Sequence, residues 1–160
     1  MFKIFVQKKS LSETKKRGIK NKIQTAQNKM IRFILGHHQR KHLAVREFKS
    51  VKMLNVNSRI EYLNLSLTHN IVHNVAPEYL CQDFTRISHK YDTKYSRYSF
   101  IIPIVHSQGK KSFRYNAIIA WNNLPIGIKN CSSKESFKSQ LKLFLFKKMS
   151  DEENNCYVYY

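Results

Sequence analysis

The chain is poor in acidic residues, cysteine and long apolar runs, and each shortage excludes a class of protein. Only 10 of its 160 residues are Asp or Glu, against 29 Lys or Arg. Its three cysteines lie far apart, which fits reduced intracellular thiols better than a disulfide framework. No run approaches the roughly 20 apolar residues of a membrane-spanning helix, and no signal-peptide core is visible. We therefore expect an intracellular protein, in the nucleus or cytoplasm, with no membrane partner.

Carboxylates that could hold a catalytic metal are also missing. The chain has three Asp residues, and none neighbours another. Metal-ion catalysis of nucleotide transfer needs clustered carboxylates that hold two magnesium ions. The only adjacent acids, Asp151-Glu152-Glu153, lie in a polar C-terminal segment. We predict no catalytic residue, no metal site and no cofactor, and therefore no enzyme activity.

Two groups of histidines do not change that expectation. His69 and His73 are four residues apart on a predicted helix, but Asn70 stands where a metalloprotease of this spacing needs Glu. We expect both to be surface histidines. The segment 37–42, HHQRKH, has no Cys or carboxylate nearby. It is either a basic loop that contacts phosphates and gains charge as the pH falls toward about 6, or a plain solvated loop.

Positive charge is concentrated toward the two ends of the chain. Residues 1–60 carry 16 basic and 2 acidic groups, residues 61–109 are neutral, and residues 110–149 have a net charge of +8. The total of +19 indicates polyanionic partners and says little about the fold. We expect the neutral middle to supply core and the basic ends to face a partner.

The spacing of apolar residues predicts a mostly α (α+β) fold, a compact helical domain with one small β-hairpin. Helices are predicted from residue 23 to a cap at Gly36, over 44–53 and 58–75, in a short segment with Pro77 in its first turn, and from a capping box at Ser132 and Glu135 to about residue 148. In the first helix we expect one apolar face to pack and the opposite face to be cationic. The apolar residues are Ile23, Ala26, Met30, Ile31 and Ile34.

The predicted hairpin pairs a strand at 98–105 with residues 111–115. Pro103 would confine that strand to an edge or a bulge. Residues 113–122 could instead be helical, and the pattern leaves the first half of this segment open. Around this core we predict a basic flexible arm at 1–22, a helical domain at 23–148 and an acidic and aromatic tail at 149–160. The only Trp, Trp121, has apolar neighbours and is predicted to be a buried anchor.

Five short blocks follow one another along the chain. They are Ile34-Leu35-Gly36, Leu54-Asn55-Val56-x-x-Arg59, Ala76-Pro77-Glu78-Tyr79-Leu80, Trp121-Asn-x-Leu-Pro, and the final amphipathic segment with Phe137, Leu141 and Phe144. In this order the blocks resemble the C-terminal, post-polymerase region of reverse transcriptases from non-LTR retrotransposons of the LINE or jockey type. The resemblance covers roughly residues 20–148. It implies a partner polymerase domain, but the family's Tyr/Phe-x-Asp-Asp metal motif is absent from this chain.

Charge and resemblance together predict a non-catalytic C-terminal fragment of an RNA-directed DNA polymerase that binds RNA or DNA without sequence preference. One alternative is a decayed transposon-derived fragment that acts only as a structural or protein-interaction piece. Another is a basic protein that docks on structured RNA for unrelated reasons. The residues predicted to contact phosphates are Lys22, Lys29, Arg32, Arg40, Lys41, Lys90, Lys94 and Arg97. Tyr91, Tyr95 and Tyr98 are predicted to stack on bases, for about 1–3 kcal/mol each.

Overall fold

A computed structural model of the protein describes residues 2–87, 99–107 and 109–156, and helices dominate these residues. The helices are α1 (Phe2–Ile34), α2 (Val45–Ser50), α3 (Val56–Val72), α4 (Glu78–Cys81), α5 (Phe113–Asn122), α6 (Ile126–Lys129) and α7 (Lys134–Cys156). A 3-10 turn, Gly109–Lys111, precedes α5. The prediction of a mostly helical fold is confirmed.

The chain divides into two compact units. Unit 1 comprises Met1–Arg59 and Lys148–Tyr160, and unit 2 comprises Ile60–Lys147. Unit 1 contains 17 basic and 5 acidic residues, and unit 2 contains 12 and 5. Their net charges are therefore +12 and +7, so the positive charge is denser in unit 1.

Two helix ends lie far from their predicted positions, whereas the ends of α2 and α3 differ from prediction by three residues or fewer. The first helix begins at Phe2 and not at residue 23, so residues 2–22 of the predicted arm are helical. These residues include no proline and one glycine, and Lys, Gln and Leu are good helix formers. The last helix continues past residue 148 to Cys156, through part of the predicted tail.

The C-terminal end of α1 is fixed by a glycine, as predicted. Gly36 has a φ of +64°, a conformation that residues with a Cβ rarely adopt. The N–H of Gly36 donates to the carbonyl of Phe33, and the N–H of His37 donates to that of Arg32, at 3.2 and 2.8 Å. This pair of bonds is a Schellman motif, which satisfies two of the last helical carbonyls.

The packed face of α1 in unit 1 combines Ile31 with polar amides, whereas an apolar face was predicted. Gln27 donates from Nε2 to the carbonyl of Leu54 at 2.8 Å, and the Val56 N–H donates to Oε1 of Gln24, also at 2.8 Å. These amides satisfy backbone groups where α3 begins, so their side of the helix lies inward. Of the five apolar residues expected to pack, only Ile31 is buried, and the others are exposed: Ile23, Ala26, Met30 and Ile34.

The start of α2 meets the end of α7 within unit 1. The N–H of Val45 donates to Oε2 of Glu153 at 3.1 Å, and Lys49 Nζ donates to Oγ of Ser150 at 3.1 Å. The first bond satisfies a backbone donor at a helix N-terminus, where a carboxylate is also favoured by the helix dipole. Glu153, near the end of the last helix, thus acts within unit 1.

The core of unit 2 is aromatic and centred on Trp121, whose exposed fraction is 0%. Its ring centroid is 5.9 Å from that of Phe137 and 6.4 Å from that of Phe100. Leu124 and Leu141 are buried as well. The prediction that Trp121 is a buried anchor is confirmed.

One antiparallel bridge, between Arg86 and Phe100, is the β pairing found in the described part of unit 2. The Ile87 N–H donates to the Ser99 carbonyl, and the Ile101 N–H donates to the Thr85 carbonyl, at 3.0 and 2.9 Å. The predicted hairpin with residues 111–115 is wrong, because a 3-10 turn and the start of α5 occupy that segment. Residues 101–106 have no regular secondary structure.

The start of α5 is capped, which resolves the choice between strand and helix for residues 113–115. The hydroxyl of Ser112 accepts a hydrogen bond from the Tyr115 N–H at 3.3 Å. A side-chain oxygen at this position satisfies a donor that the first helical turn leaves unpaired.

Asn122, at the end of α5, holds the extended segment around Phe100. Its Oδ1 accepts from the Phe100 N–H at 2.9 Å, and its Nδ2 donates to the Phe100 carbonyl at 2.8 Å. The backbone carbonyl of Asn122 also accepts a bond of 2.9 Å from Nζ of Lys129. The Trp-Asn pair of the fourth sequence block thus joins three segments of unit 2, by packing at Trp121 and by hydrogen bonds at Asn122.

The last helix starts one residue later than the predicted capping box implies. Oγ of Ser133 accepts from the Ser136 N–H at 3.2 Å, so Ser133 is the N-cap and Ser132 is not. Glu135 then lies in the first turn, where its negative charge is favourable near the positive end of the helix dipole.

Candidate nucleic-acid interface

Three lysines on α1 form a straight, exposed row. Lys15, Lys22 and Lys29 are each seven residues apart, and all three are exposed. Seven residues make nearly two helical turns, so the side chains fall along one side of the helix at intervals of about 10.5 Å. Arg32 follows Lys29 by one turn and is half-buried. The row therefore leads toward the C-terminal end of α1.

The loop after α1 folds back against the helix and adds to this row. Nε of Arg32 donates to the carbonyl of Lys41 at 2.7 Å. Lys41 Nζ lies 3.0 Å from Nε2 of His37, and because an ammonium can only donate, this imidazole nitrogen accepts. Arg40 is exposed beside Lys41. The structure thus brings Arg32 and Lys41 into direct contact at the end of the row.

We call this set the basic track: Lys15, Lys22, Lys29, Arg32, Arg40 and Lys41. It contains five of the eight residues predicted to contact phosphates, in one unit and in chain order. The remaining three predicted contacts, Lys90, Lys94 and Arg97, lie outside the described residues. So do the three predicted stacking residues, Tyr91, Tyr95 and Tyr98.

One carboxylate beside the track was missed by sequence reasoning. Glu47 is 5% exposed and lies 3.9 Å from Lys41 Nζ and 3.0 Å from Arg46 Nε. Burial raises its pKa, but the Arg46 hydrogen bond and charge and the backbone N–H donors outweigh this, so the pKa is lowered. Its Oε2 accepts from the Ala44 N–H at 2.9 Å. The sequence signal was its place three residues after Ala44, a position from which Glu caps a helix start.

Unit 1 also contains an open cleft of about 430 Å³. Its lining combines amides with two carboxylates, those of Glu152 and Glu153. Negative charge in the cleft disfavours phosphate, so we do not include it in the basic track. Its other lining residues are Gln24, Asn28, His42, Leu43, Val45, Phe48, Asn55, Asn57 and Met149.

The prediction that His69 is a surface residue is wrong. Its side chain is buried within unit 2, 3% exposed, and its Nε2 lies 3.1 Å from the Cys131 carbonyl oxygen. Burial lowers the pKa of His69, and the nearby charges of His73 and Lys134 lower it further, while the bond to Cys131 opposes the shift. Its Nδ1 has no partner among the described residues. His73 is exposed, as predicted.

Lys129 is a second buried polar residue of unit 2 that the sequence did not indicate. It is 7% exposed, and burial lowers its pKa. Its bond to the Asn122 carbonyl satisfies one of its donors, so the side chain has a structural role. Because the side chain of Lys129 is buried, it does not offer its charge to a ligand at the surface.

Within residues 2–87, 99–107 and 109–156, no group of three or more His, Cys, Asp or Glu side chains is placed to hold a metal ion. No helix in the same residues is long and apolar enough to cross a membrane. Comparisons with protein-family models, with curated proteins and with solved structures find no match to this chain.

Proposed function

We propose that the protein binds RNA or DNA through phosphate contacts, without sequence preference, by the basic track of unit 1. The observation that carries this proposal is the exposed row of Lys15, Lys22 and Lys29, which continues into Arg40 and Lys41. It lies in the unit with a net charge of +12. Lys and Arg side chains along one line can neutralise successive phosphates of a nucleic-acid backbone.

Binding of this kind has a thermodynamic signature. Each phosphate that a cation neutralises releases counterions, so the logarithm of affinity falls linearly with the logarithm of salt concentration. For a duplex the slope is about −0.9 per contact, so six contacts would give a slope of about −5. Contacts to phosphates do not depend on the base, so random and defined sequences should bind alike.

The resemblance to the post-polymerase region of non-LTR reverse transcriptases supports a role beside a polymerase domain. We propose that the chain is a non-catalytic part of such a protein and holds template or product in the nucleus or cytoplasm. We expect no magnesium-dependent primer extension from the chain alone. Extension on a homopolymer template that survives stringent purification would contradict this expectation.

The binding proposal is tested with a labelled random oligonucleotide, titrated by fluorescence anisotropy over a range of salt concentrations. The variant replaces Lys15, Lys22, Lys29 and Arg40 by Ala and leaves Arg32 and Lys41 to hold the loop. Removing four phosphate contacts should reduce the salt slope by about 3 to 4. Affinity should fall by about the same factor for every sequence.

A matched control removes the same number of charges from unit 2. It replaces Lys110, Lys134, Lys138 and Lys147 by Ala and should leave the slope nearly unchanged. An equal loss in both variants would mean that net charge, and not the basic track, determines binding. An affinity that does not respond to salt would contradict phosphate binding altogether.

A further inference from the structure

One side of α1 carries an apolar stripe that no described residue of unit 1 covers. Four of its members have large exposed fractions: Ile19 51%, Ile23 52%, Met30 46% and Phe33 87%. Ala26 completes it and is exposed as well. We call these five residues the apolar seam.

The apolar seam does not pack into the core of unit 1. The contacts of α1 within that unit come from the adjacent side of the helix, where Ile31 is buried and Gln24 and Gln27 bond to backbone groups of Val56 and Leu54. An amphipathic helix in a folded domain ordinarily turns its apolar side inward and its amides outward. Here the amides form hydrogen bonds within unit 1, and the exposed apolar side chains do not pack there. This is the arrangement of a helix that binds a second partner on its apolar side.

The spacing of the seam specifies the shape of that partner. Its members follow one another at intervals of four, three, four and three residues. This is the heptad pattern of a coiled coil, in which side chains of one helix insert between those of another. At about 100° per residue the five positions fall within about 80°, narrower than the stripe of at least about 100° on a core-facing helix. The occupant that fits such a narrow seam is another helix.

The charges beside the seam specify its chemistry. One flank is formed by Lys15, Lys22 and Lys29, and the other by Lys20, Gln27 and Ile34, so the positive charge lies mainly on one flank. A second copy of this chain would bring Lys15 against Lys20 in a parallel pair, or the three lysines against one another in an antiparallel pair. Like charges at these positions oppose pairing, whereas Glu or Asp would form interhelical ion pairs. We propose that the apolar seam docks an amphipathic helix of a partner protein whose own seam is flanked by acidic residues.

This docking rests on apolar side chains that phosphate binding does not use, but the two activities share three lysines. Lys15, Lys22 and Lys29 belong both to the basic track and to the flank of the seam. An acidic helix on the seam therefore competes with nucleic acid for the row. The seam's own apolar side chains do not take part in phosphate contacts, so replacing them separates the two activities.

The test uses the full chain and two labelled synthetic peptides of four heptads each. Both peptides have Leu at the two apolar positions of each heptad. At the positions that flank these leucines, one peptide has Glu and the other has Lys. The Glu peptide should bind at micromolar concentration and the Lys peptide at least tenfold more weakly. A variant with Ile23→Gln and Phe33→Gln should lose at least tenfold in affinity for the Glu peptide, because its seam is interrupted.

Two controls separate docking from folding and from phosphate binding. Leu63→Gln with Leu143→Gln changes two exposed apolar residues of unit 2 and should leave peptide binding within twofold. The seam variant should bind the random oligonucleotide as the parent does, within twofold. If oligonucleotide binding fails in the parent while the Glu peptide still binds, the proposed function fails and the docking proposal stands.

A charge reversal tests the chemistry of the partner directly. Lys22→Glu with Lys29→Glu should exchange the preference, so that the Lys peptide becomes the tighter ligand. Equal binding of both peptides, or of neither, would overturn the proposal. So would concentration-dependent self-association, or binding to anionic phospholipid vesicles, that the seam variant abolishes, since the occupant would then be a second copy or a lipid surface.

Discussion

The imidazole of His69 lies almost flat on the ring of Phe137, with 4.2 Å between the ring centroids and 28° between the planes. Its Nε2 faces the Cys131 carbonyl oxygen, which can only accept, so the proton of the neutral ring is on Nε2. The other ring nitrogen, Nδ1, is buried without a partner in the described residues. A second proton would place a charge in this buried site beside His73, which burial disfavours.

Unit 2 should therefore lose stability as the medium is acidified. Because the pKa of His69 is lowered in the folded chain, the unfolded chain binds a proton first as the pH falls. The stabilisation is fully present above the ordinary pKa of histidine, about 6.5, and declines below it. The check is the urea midpoint at pH 7.5 and pH 5.5, in the parent and in His69→Gln. The parent should show the larger drop on acidification, whereas His106→Gln, at an exposed site, should behave like the parent.

Trp121→Ala should cost about 3–5 kcal/mol of unfolding free energy, the range for emptying a buried aromatic site. The side chain is wholly buried between Phe100 and Phe137, so its removal leaves a cavity in the core of unit 2. Urea unfolding followed by circular dichroism measures the loss. Tyr79→Ala, at a residue that is 69% exposed, should change the free energy by less than about 0.5 kcal/mol. Tryptophan fluorescence of the unsubstituted protein gives a second check, because Trp121 is the only Trp. An emission maximum typical of Trp in water would contradict its burial.

Two glycines should respond to alanine in opposite directions. At Gly36 an added Cβ meets no atom within 4 Å, so the substitution is opposed only by its φ of +64°, at a cost of about 1 kcal/mol. Gly18 also has open space, but it lies inside α1, where alanine should gain about 0.5–1 kcal/mol. Urea titration of the two variants gives the comparison. A stabilised Gly36→Ala would mean that α1 does not end in the left-handed turn.

Adjacent serines give a sharp test of where the last helix starts. Ser133→Ala removes the oxygen that caps Ser136 and should cost about 0.5–2 kcal/mol. Ser132→Ala, one residue earlier, should be nearly neutral. Thermal unfolding of both variants measures the difference. A larger loss of stability for Ser132→Ala than for Ser133→Ala would mean that Ser132 is the cap, as the sequence predicted.

Helices of this chain could be predicted from sequence because their signals are local. Gly36 caps α1 as its position indicated, and the short helix predicted at Pro77 is present as α4, with Pro77 one residue before its start. The start of α1 is not predicted by its composition, because a polar, lysine-rich segment is also typical of a flexible arm, although the helix propensity of these residues is high. The choice between Ser132 and Ser133 could not be made, because both are good caps and only the hydrogen bond separates them.

Which side of a helix packs could not be predicted, because that depends on the rest of the chain. Apolar spacing located the stripe of α1 at Ile23 and Met30, but the same spacing serves a core or a partner. Likewise, His69 is four residues from His73 on a helix that has a polar side, and only the position of Phe137 decides that it is buried. The charges of the basic track could be predicted, since they are in the sequence. The contact of Arg32 with Lys41 could not, since it depends on the turn at Gly36.

The hydrogen bonds around Phe100 also bear on aggregation. The segment 100–105 is rich in β-branched residues, and Ile101, Ile102 and Ile104 are all exposed, which is the composition of a strand that recruits further chains. Within it, the N–H of Phe100 is taken by Asn122, that of Ile101 by Thr85, and Pro103 has none. Three of four successive positions therefore offer no donor to an approaching strand. The side-chain amide of Asn122 pairs with the backbone of Phe100 as a neighbouring strand would, and so removes one site at which another chain could begin to pair with this segment.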